Sequence, residues 1–170
     1  SENKRCNLVA ICDSSKERLD NIYSFYKSQL KEKNIFFKGL KKFNNYNDLI
    51  NARSDNQIPI DLIVLATPSG LHPIQTIIAA KSGINVCTEK PMATNYNDGL
   101  EMVKACEENG VNLYVVKQNR FNKTLQLLKR QIDKGRFGKI NTVSVNVFWQ
   151  RPQEYYDQQA WRGTWKLDGG

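Results

Sequence analysis

Residues 61–88 read Asp61-Leu-Ile-Val-Leu-Ala66-Thr67-Pro68-Ser69-Gly70-Leu71-His72-Pro73-Ile-Gln-Thr-Ile-Ile-Ala-Ala-Lys-Ser82-Gly83-Ile84-Asn-Val-Cys-Thr88. The run after Asp61 is continuously apolar, as a parallel strand covered on both faces requires. Pro73 stands at the favoured first position of a helix and Gly83 just past its end, which predicts a helix over 73–82. Ile84–Thr88 is then a second strand. Strand, tight turn, helix, strand is one parallel crossover unit, and short crossovers of this kind are right-handed.

The same grammar extends in both directions. Upstream, Asn7-Leu-Val-Ala-Ile-Cys12 is a short apolar run, and a charged stretch with helical spacing follows Asp13-Ser14-Ser15 to about Lys33. A second apolar patch, Ile35–Phe37, leads into a lysine-rich connection and a short helix over 47–52. Downstream, Thr94 is a cap for a helix running to about Asn109, Gly110 stops it, and Val111–Val116 is the next strand. The alternation specifies an α/β fold with an open, doubly wound parallel sheet. After Gln118 the pattern changes. Asn122–Lys134 is a helix closed by Gly135, and Lys139–Trp149 alternates apolar and polar residues as an antiparallel strand with one wet face does. A domain boundary is expected between residues 120 and 121.

Composition bounds the function. At 170 residues with 40% hydrophobic and 25% charged residues, the chain is an ordinary globular one. No apolar run approaches the ~20 residues of a membrane span, and Ser1–Arg5 lacks the apolar core of a secretory signal, so the expectation is a cytoplasmic protein without membrane contact. Cys6, Cys12, Cys87 and Cys106 are far apart and one histidine accompanies them, so free, buried thiols and no metal are expected. The net charge of +8 is densest at Lys27, Lys31, Lys33, Lys38, Lys41 and Lys42. No nucleic-acid module accompanies these lysines, which suit a solvated helix face and loop, or a weak attraction for an anionic ligand.

In an open parallel sheet, ligands bind at the carboxyl ends of the strands. Asp13 stands at the first such end, where a carboxylate either accepts both hydroxyls of an adenine ribose, favouring NAD over NADP, or caps the next helix. After the 61–66 run, Thr67, Pro68, Ser69, Gly70, Leu71 and His72 form a rigid turn in which two prolines fix the backbone and a helix offers free amides. His72 is either a ligand contact or a cap at the start of that helix. After the next strand, Glu89 and Lys90 place two charges side by side at the mouth of a buried sheet, which an ordinary strand end seldom does. The Lys90 ammonium suits alcohol oxidation, since it can hold a hydroxyl and stabilise developing alkoxide. Pro91 allows a cis bond after Lys90.

These motifs, with Asn119-Arg120-Phe121-Asn122 and Gly135-Arg-Phe-Gly138, resemble in order those of the glucose-fructose oxidoreductase and inositol dehydrogenase family over nearly the whole chain. The stretches Phe148–Asp157, Trp161–Trp165 and Asp168-Gly169-Gly170 are similar to the branch that oxidises UDP-N-acetylglucosaminuronic acid at C3, on the route to amino-sugar uronates of bacterial surface polysaccharide. The resemblance implies a Rossmann-type sheet holding NAD over residues 1–120, and the first helix and strand of a substrate and oligomerisation domain over 121–170. It implies that Asp13 holds the adenine ribose and that Thr67, Pro68, Ser69, Leu71 and His72 line the cofactor cleft. Glu89 and Lys90 would reach the nicotinamide ribose and substrate, with Gln118 and Asn119 near the nicotinamide and Arg120 on the cleft floor. Arg151 and Arg162 suit a carboxylate or diphosphate, and Tyr155, Tyr156, Trp161 and Trp165 suit a sugar or uracil ring; alternatively Trp149, Trp161 and Trp165 are core or subunit-contact residues. The family's first strand with its glycine-rich turn would precede Ser1 and its catalytic histidine would follow Gly170, so the expectation is an incomplete piece of a dimeric or tetrameric enzyme. A different sugar or polyol substrate, a non-catalytic dinucleotide-binding module and a nucleic-acid binder are the competing readings.

Overall fold

The computed structural model describes residues 5–35 and 39–170. Their order is β1 (Ala10–Cys12), α1 (Lys16–Glu32), β2 (Lys41–Phe43), α2 (Tyr46–Ser54), β3 (Leu62–Leu65), α3 (His72–Lys81), β4 (Asn85–Thr88), α4 (Tyr96–Glu108), β5 (Leu113–Val115), α5 (Lys123–Asp133) and α6 (Gln153–Asp157). Single 3₁₀ turns at Ser69–Leu71 and Gln118–Phe121 follow β3 and β5. Every strand pairing is parallel: β3, β4 and β5 form one ladder, with Leu62 opposite Asn85 and Val86 opposite Leu113, and β1 pairs with β2. The doubly wound reading from residues 61–88 therefore holds.

Two things fix the central unit. Helix α3 ends where Gly83, at φ 69°, turns the chain left-handed, so that Ile84 N donates to Ala79 O and Gly83 N to Ala80 O. Beneath the ladder, Ile63, Leu65, Ala79, Ile84 and Val86 are buried with Leu49, Ile50, Ile58 and Ile60. Each large side chain so enclosed contributes about 1.5–3 kcal/mol of transfer free energy. Val9 and Ala10 pack against the same core, which places β1 beside it although no ladder joins β1 to β3 among the described residues.

Several expectations are corrected. The lysine-rich connection is itself a strand: Lys41 and Lys42 lie in β2, where Lys42 reaches Asp20 at 2.6 Å and Lys41 Nζ donates to Gln57 O, so they are not loop charges. Of the apolar patch at 35–37, Phe36 and Phe37 lie outside the described residues. Asn95, not Thr94, caps α4, its side chain accepting from Asp98 N. The thiols are free but only Cys106 is buried; Cys6 and Cys12 are exposed and Cys87 is half-buried. Residues 139–149 form no strand: no strand pairs with the segment among the described residues, and Val143, Val145 and Val147 are all exposed. Alternation reports the face a strand would bury, not the presence of its neighbour.

The last turns fold back onto the front of the sheet. Gly70 N donates to Leu167 O at 2.9 Å, and a Cβ on Gly70 would lie 2.0 Å from Lys166 O and 2.9 Å from Leu167 Cα. Both obstacles are backbone and cannot rotate away. Gly70→Ala is expected to cost about 1–3 kcal/mol through this overlap, read as a lower urea midpoint of the full-length protein. An unchanged midpoint would show that residues 164–168 do not rest on the turn.

Candidate functional site

Because the strands run parallel, Asp13, the turn at 67–71, Glu89–Lys90 and residues 118–120 all follow the carboxyl ends of strands. The β3 and β4 ends are tied together from below. His72 is 1% exposed; its Nε2 lies 2.9 Å from Thr67 O and its Nδ1 2.9 Å from Pro91 O. Thr67 and Pro91 sit in proline-containing turns, where a backbone N–H is missing, and the imidazole ring meets carbonyl groups that no ladder engages. This corrects one reading of His72: it caps no helix, since Leu71 holds the cap position without a side-chain bond.

Around this staple the turn is further ordered. Thr67 Oγ1 donates to Gln75 Oε1 at 2.6 Å, Gln75 O accepts from Tyr46 OH at 2.7 Å, and Ser69 is buried. Pro68 is half-buried and Leu71 faces solvent. Glu89 N donates to Leu65 O, continuing the ladder by one step, and Glu89 Oε2 accepts from Lys90 N at 3.2 Å. The Lys90–Pro91 bond is cis. Lys90 is exposed, and its ammonium has no partner among the described residues. An open cavity of about 570 Å³ lies at the β5 end, lined by Val115, Val116, Lys117, Gln118, Arg120 and Phe121. Gln118 and Arg120 therefore both line it, and Asn119, between them in sequence, is exposed.

Asp13 is half-buried at the end of β1. Its Oδ1 accepts from Ser15 N at 2.8 Å and Arg18 Nη2 at 2.7 Å, while Arg18 Nε lies 3.0 Å from both carboxylate oxygens. The Arg18 hydrogen bonds outweigh the cost of burial and hold the Asp13 carboxyl below its usual range. The helix cap is Ser15, which accepts from Arg18 N. Sequence reasoning missed Arg18; its position on the first turn of α1, just after an acidic strand end, was the available signal.

The 149–162 stretch forms its own cluster. The Arg151 guanidinium lies 3.9 Å from the Trp149 ring centre and 5.1 Å from that of Tyr155, and the Arg162 guanidinium lies 4.2 Å from Tyr155 and 5.9 Å from Trp161. Tyr155 and Tyr156 meet edge to face. The two arginines differ. Arg162 Nη1 donates to Tyr155 O and Gln158 Oε1, whereas its buried Nε has no hydrogen-bond partner among the described residues. Arg151 stacks but makes no hydrogen bond or ion pair among the described residues. Trp149 and Trp165 are exposed and Trp161 is half-buried, so none is a core residue of the described chain.

The strand-end loops with an acidic first end are the architecture of a dinucleotide site. Residues 1–117 match the sequence model of the GFO_IDH_MocA family, an oxidoreductase family with an NAD-binding Rossmann fold. The chain belongs to that family. The resemblance read from Glu89-Lys90-Pro91 is thereby borne out. A WlbA dehydrogenase from Bordetella pertussis, crystallised with NADH and UDP-GlcNAcA, is 49% identical, with a TM-score of 0.82 over 96% of this chain and 45% of that one. Its counterpart from Chromobacterium violaceum, crystallised with the same two ligands, is 45% identical, with a TM-score of 0.78 over 96% of this chain and 43% of its own. The NADP(+)-dependent scyllo-inositol 2-dehydrogenase IolW of Bacillus subtilis is 34% identical over 107 residues, 63% of this chain. The chain spans 29% of that curated relative and less than half of either solved neighbour.

The residues fit the cofactor. Asp13 Oδ2 keeps an open lone pair, the 118–120 turn borders a cavity, and the Lys90 ammonium is uncommitted. His72→Ala should leave the Thr67 and Pro91 carbonyl groups without their ring contacts, at a cost of about 2–4 kcal/mol in unfolding free energy. Denaturant unfolding of the full-length protein measures this. A loss below half a kcal/mol would show that the two loops hold together without the ring.

Proposed function

We propose that the full-length protein is an NAD-dependent dehydrogenase that oxidises the C3 hydroxyl of a nucleotide-linked sugar acid, UDP-N-acetylglucosaminuronate. The observation that carries the chemistry is Lys90: an uncommitted ammonium at the carboxyl end of a buried parallel strand, with its backbone amide held by Glu89 and the carbonyl of the next residue held by His72. The substrate assignment is supported by two dehydrogenases, 45–49% identical with 96% of this chain covered, whose crystals contain NADH and UDP-GlcNAcA.

Bound NAD supplies the hydride acceptor. Around it, Asp13 offers acceptors to the adenine ribose, Thr67, Pro68, Ser69 and Leu71 form one wall of the cleft, and Glu89, Gln118 and Asn119 supply polar contacts toward the nicotinamide end. Lys90 holds the substrate hydroxyl and stabilises the negative charge that develops on its oxygen as the hydroxyl proton passes to a base of the full-length protein. Arg151, with its fork free and its face on Trp149 and Tyr155, is the residue for the carboxylate or diphosphate of the substrate, with Arg120 nearer the cleft. Arg162 and Trp161 keep the Tyr155 ring in place. Residues 121–170 are then the start of a second, substrate-contacting unit, and the parent protein is a homo-oligomer. The likeness to an inositol dehydrogenase supports a second reading, oxidation of a free polyol, for which Arg151 has no anion to bind.

NADH formation by the full-length protein on mixing NAD with UDP-N-acetylglucosaminuronate, UDP-N-acetylglucosamine or inositol separates these readings. A signal with the uronate alone is expected; a signal with inositol alone would replace the substrate. Lys90→Met should lower kcat about 10²–10⁴-fold with NAD affinity retained. Arg151→Ala should raise KM for the uronate by the equivalent of about 1.5–3 kcal/mol with kcat little changed. Wild-type kinetics in either variant would remove that residue from the reading.

A further inference from the structure

We propose that His72 carries a proton on both ring nitrogens, and that this buried imidazolium, rather than a neutral ring, positions Lys90 against the turn after β3. The positioning half rests on the reading of Lys90 as the residue that holds the substrate hydroxyl. The geometry is symmetrical: Nε2 lies 2.9 Å from Thr67 O and Nδ1 lies 2.9 Å from Pro91 O. Both partners are carbonyl oxygens, which accept and never donate, so each ring nitrogen has to supply the proton of its own bond. A neutral imidazole has one N–H and one lone pair; an imidazolium has two N–H groups.

No backbone N–H donates to Thr67 O or Pro91 O among the described residues, so the ring is their donor. In a neutral ring the bare nitrogen would face a carbonyl oxygen lone pair to lone pair, a contact that repels and leaves a buried acceptor unpaired. The loop bearing that carbonyl would draw away until the two distances differed; they are equal instead. Burial and the positive end of α3, whose first residue is His72, oppose a cation here. Two carbonyl dipoles aimed at the ring favour it, because hydrogen bonds from a charged donor are stronger than neutral ones and are strengthened again in dry surroundings. The charged side chains on the adjoining loops are Glu89 and Lys90, with Lys166 and Asp168 in the segment that rests on Gly70, and the buried residues of α4, Gly99, Met102, Ala105 and Cys106, add no charge. Pro91 directly follows Lys90, and Thr67 opens the turn that continues through Pro68 and Ser69. With both N–H bonds made the two loops keep one spacing; with a single bond, one loop is released and Lys90 shifts relative to that turn. His72 thus acts through Lys90 and is a positioning residue.

The test is NMR at neutral pH on the full-length protein labelled at its histidine ring nitrogens, with the His72 signals assigned through the Overhauser contacts of its ring protons to Thr67 and Pro91. Two N–H signals are expected, one in contact with each loop. One protonated and one bare nitrogen would overturn the proposal, and this reading needs no variant to fold. Two variants then test the positioning. His72→Asn sets an amide donor near the Nδ1 position alone and His72→Gln near the Nε2 position alone, so each keeps at most one of the two ties. Either should lower kcat about 10²-fold, with KM changed far less and folding confirmed by circular dichroism. Wild-type kcat in a folded variant would overturn the positioning role. A doubly protonated His72 beside a fully active Lys90→Met would instead overturn the reading of Lys90, and the positioning half with it, while the buried cation stands.

Discussion

A parallel ladder cannot be closed by a hairpin. β3 and β4 pair in register only because α3 carries the chain back across the sheet, and that return leaves every loop that follows a strand at one edge. The remaining features depend on this constraint. Burial of Ile63, Leu65, Ala79, Ile84 and Val86 makes the ladder rigid, and rigidity at the strand ends gives the loops defined positions. Candidate groups from distant parts of the sequence, Asp13, Thr67, Lys90 and Gln118, thus all follow strand ends without any of them having to contact another.

Loops on a rigid edge still need to be tied, and two different devices do this. Under the β3 and β4 ends, the buried His72 ring meets a backbone carbonyl from each loop, in turns whose prolines have removed the ordinary donors. Above the β3 end, Gly70 lets the 164–168 backbone approach to hydrogen-bonding distance. The first device fixes Lys90 relative to the 67–71 turn. The second holds the 166–167 backbone, which follows the arginine and aromatic cluster in sequence, against the same turn. At the β1 end an ion pair takes the place of packing: Asp13 is held by Arg18, a polar tie that a polar ligand can exchange.

The sequence was most legible where one local rule sufficed. The apolar run at 61–66, Pro73 and Gly83 specified strand, helix and strand to within a residue or so, and Glu89-Lys90-Pro91 marked the family. It was least legible where a residue's role depends on a partner far along the chain. Strand β2 hides in Lys41-Lys42-Phe43 because its lysines find Asp20 and Gln57. The His72 ring was ambiguous because Pro91 O is nineteen residues away. The alternation at 139–149 described a face without a neighbour, and no local pattern showed that Arg162 Nη1 would bond Tyr155 O and Gln158. Arg18 went unnoticed since a basic residue on a first helical turn, where the dipole disfavours it, carries no motif.

The central claim is that one edge of the sheet receives NAD, with the loops after β1, β3, β4 and β5 closing on it together. Amide hydrogen exchange of the full-length protein, with and without saturating NAD, measures this most directly. Slower exchange is expected at residues 14–15, 69–72, 89–90 and 118–120, with the outer face of α1 unaffected. Protection confined to other surfaces, or none at these loops while NAD is bound, would contradict the account.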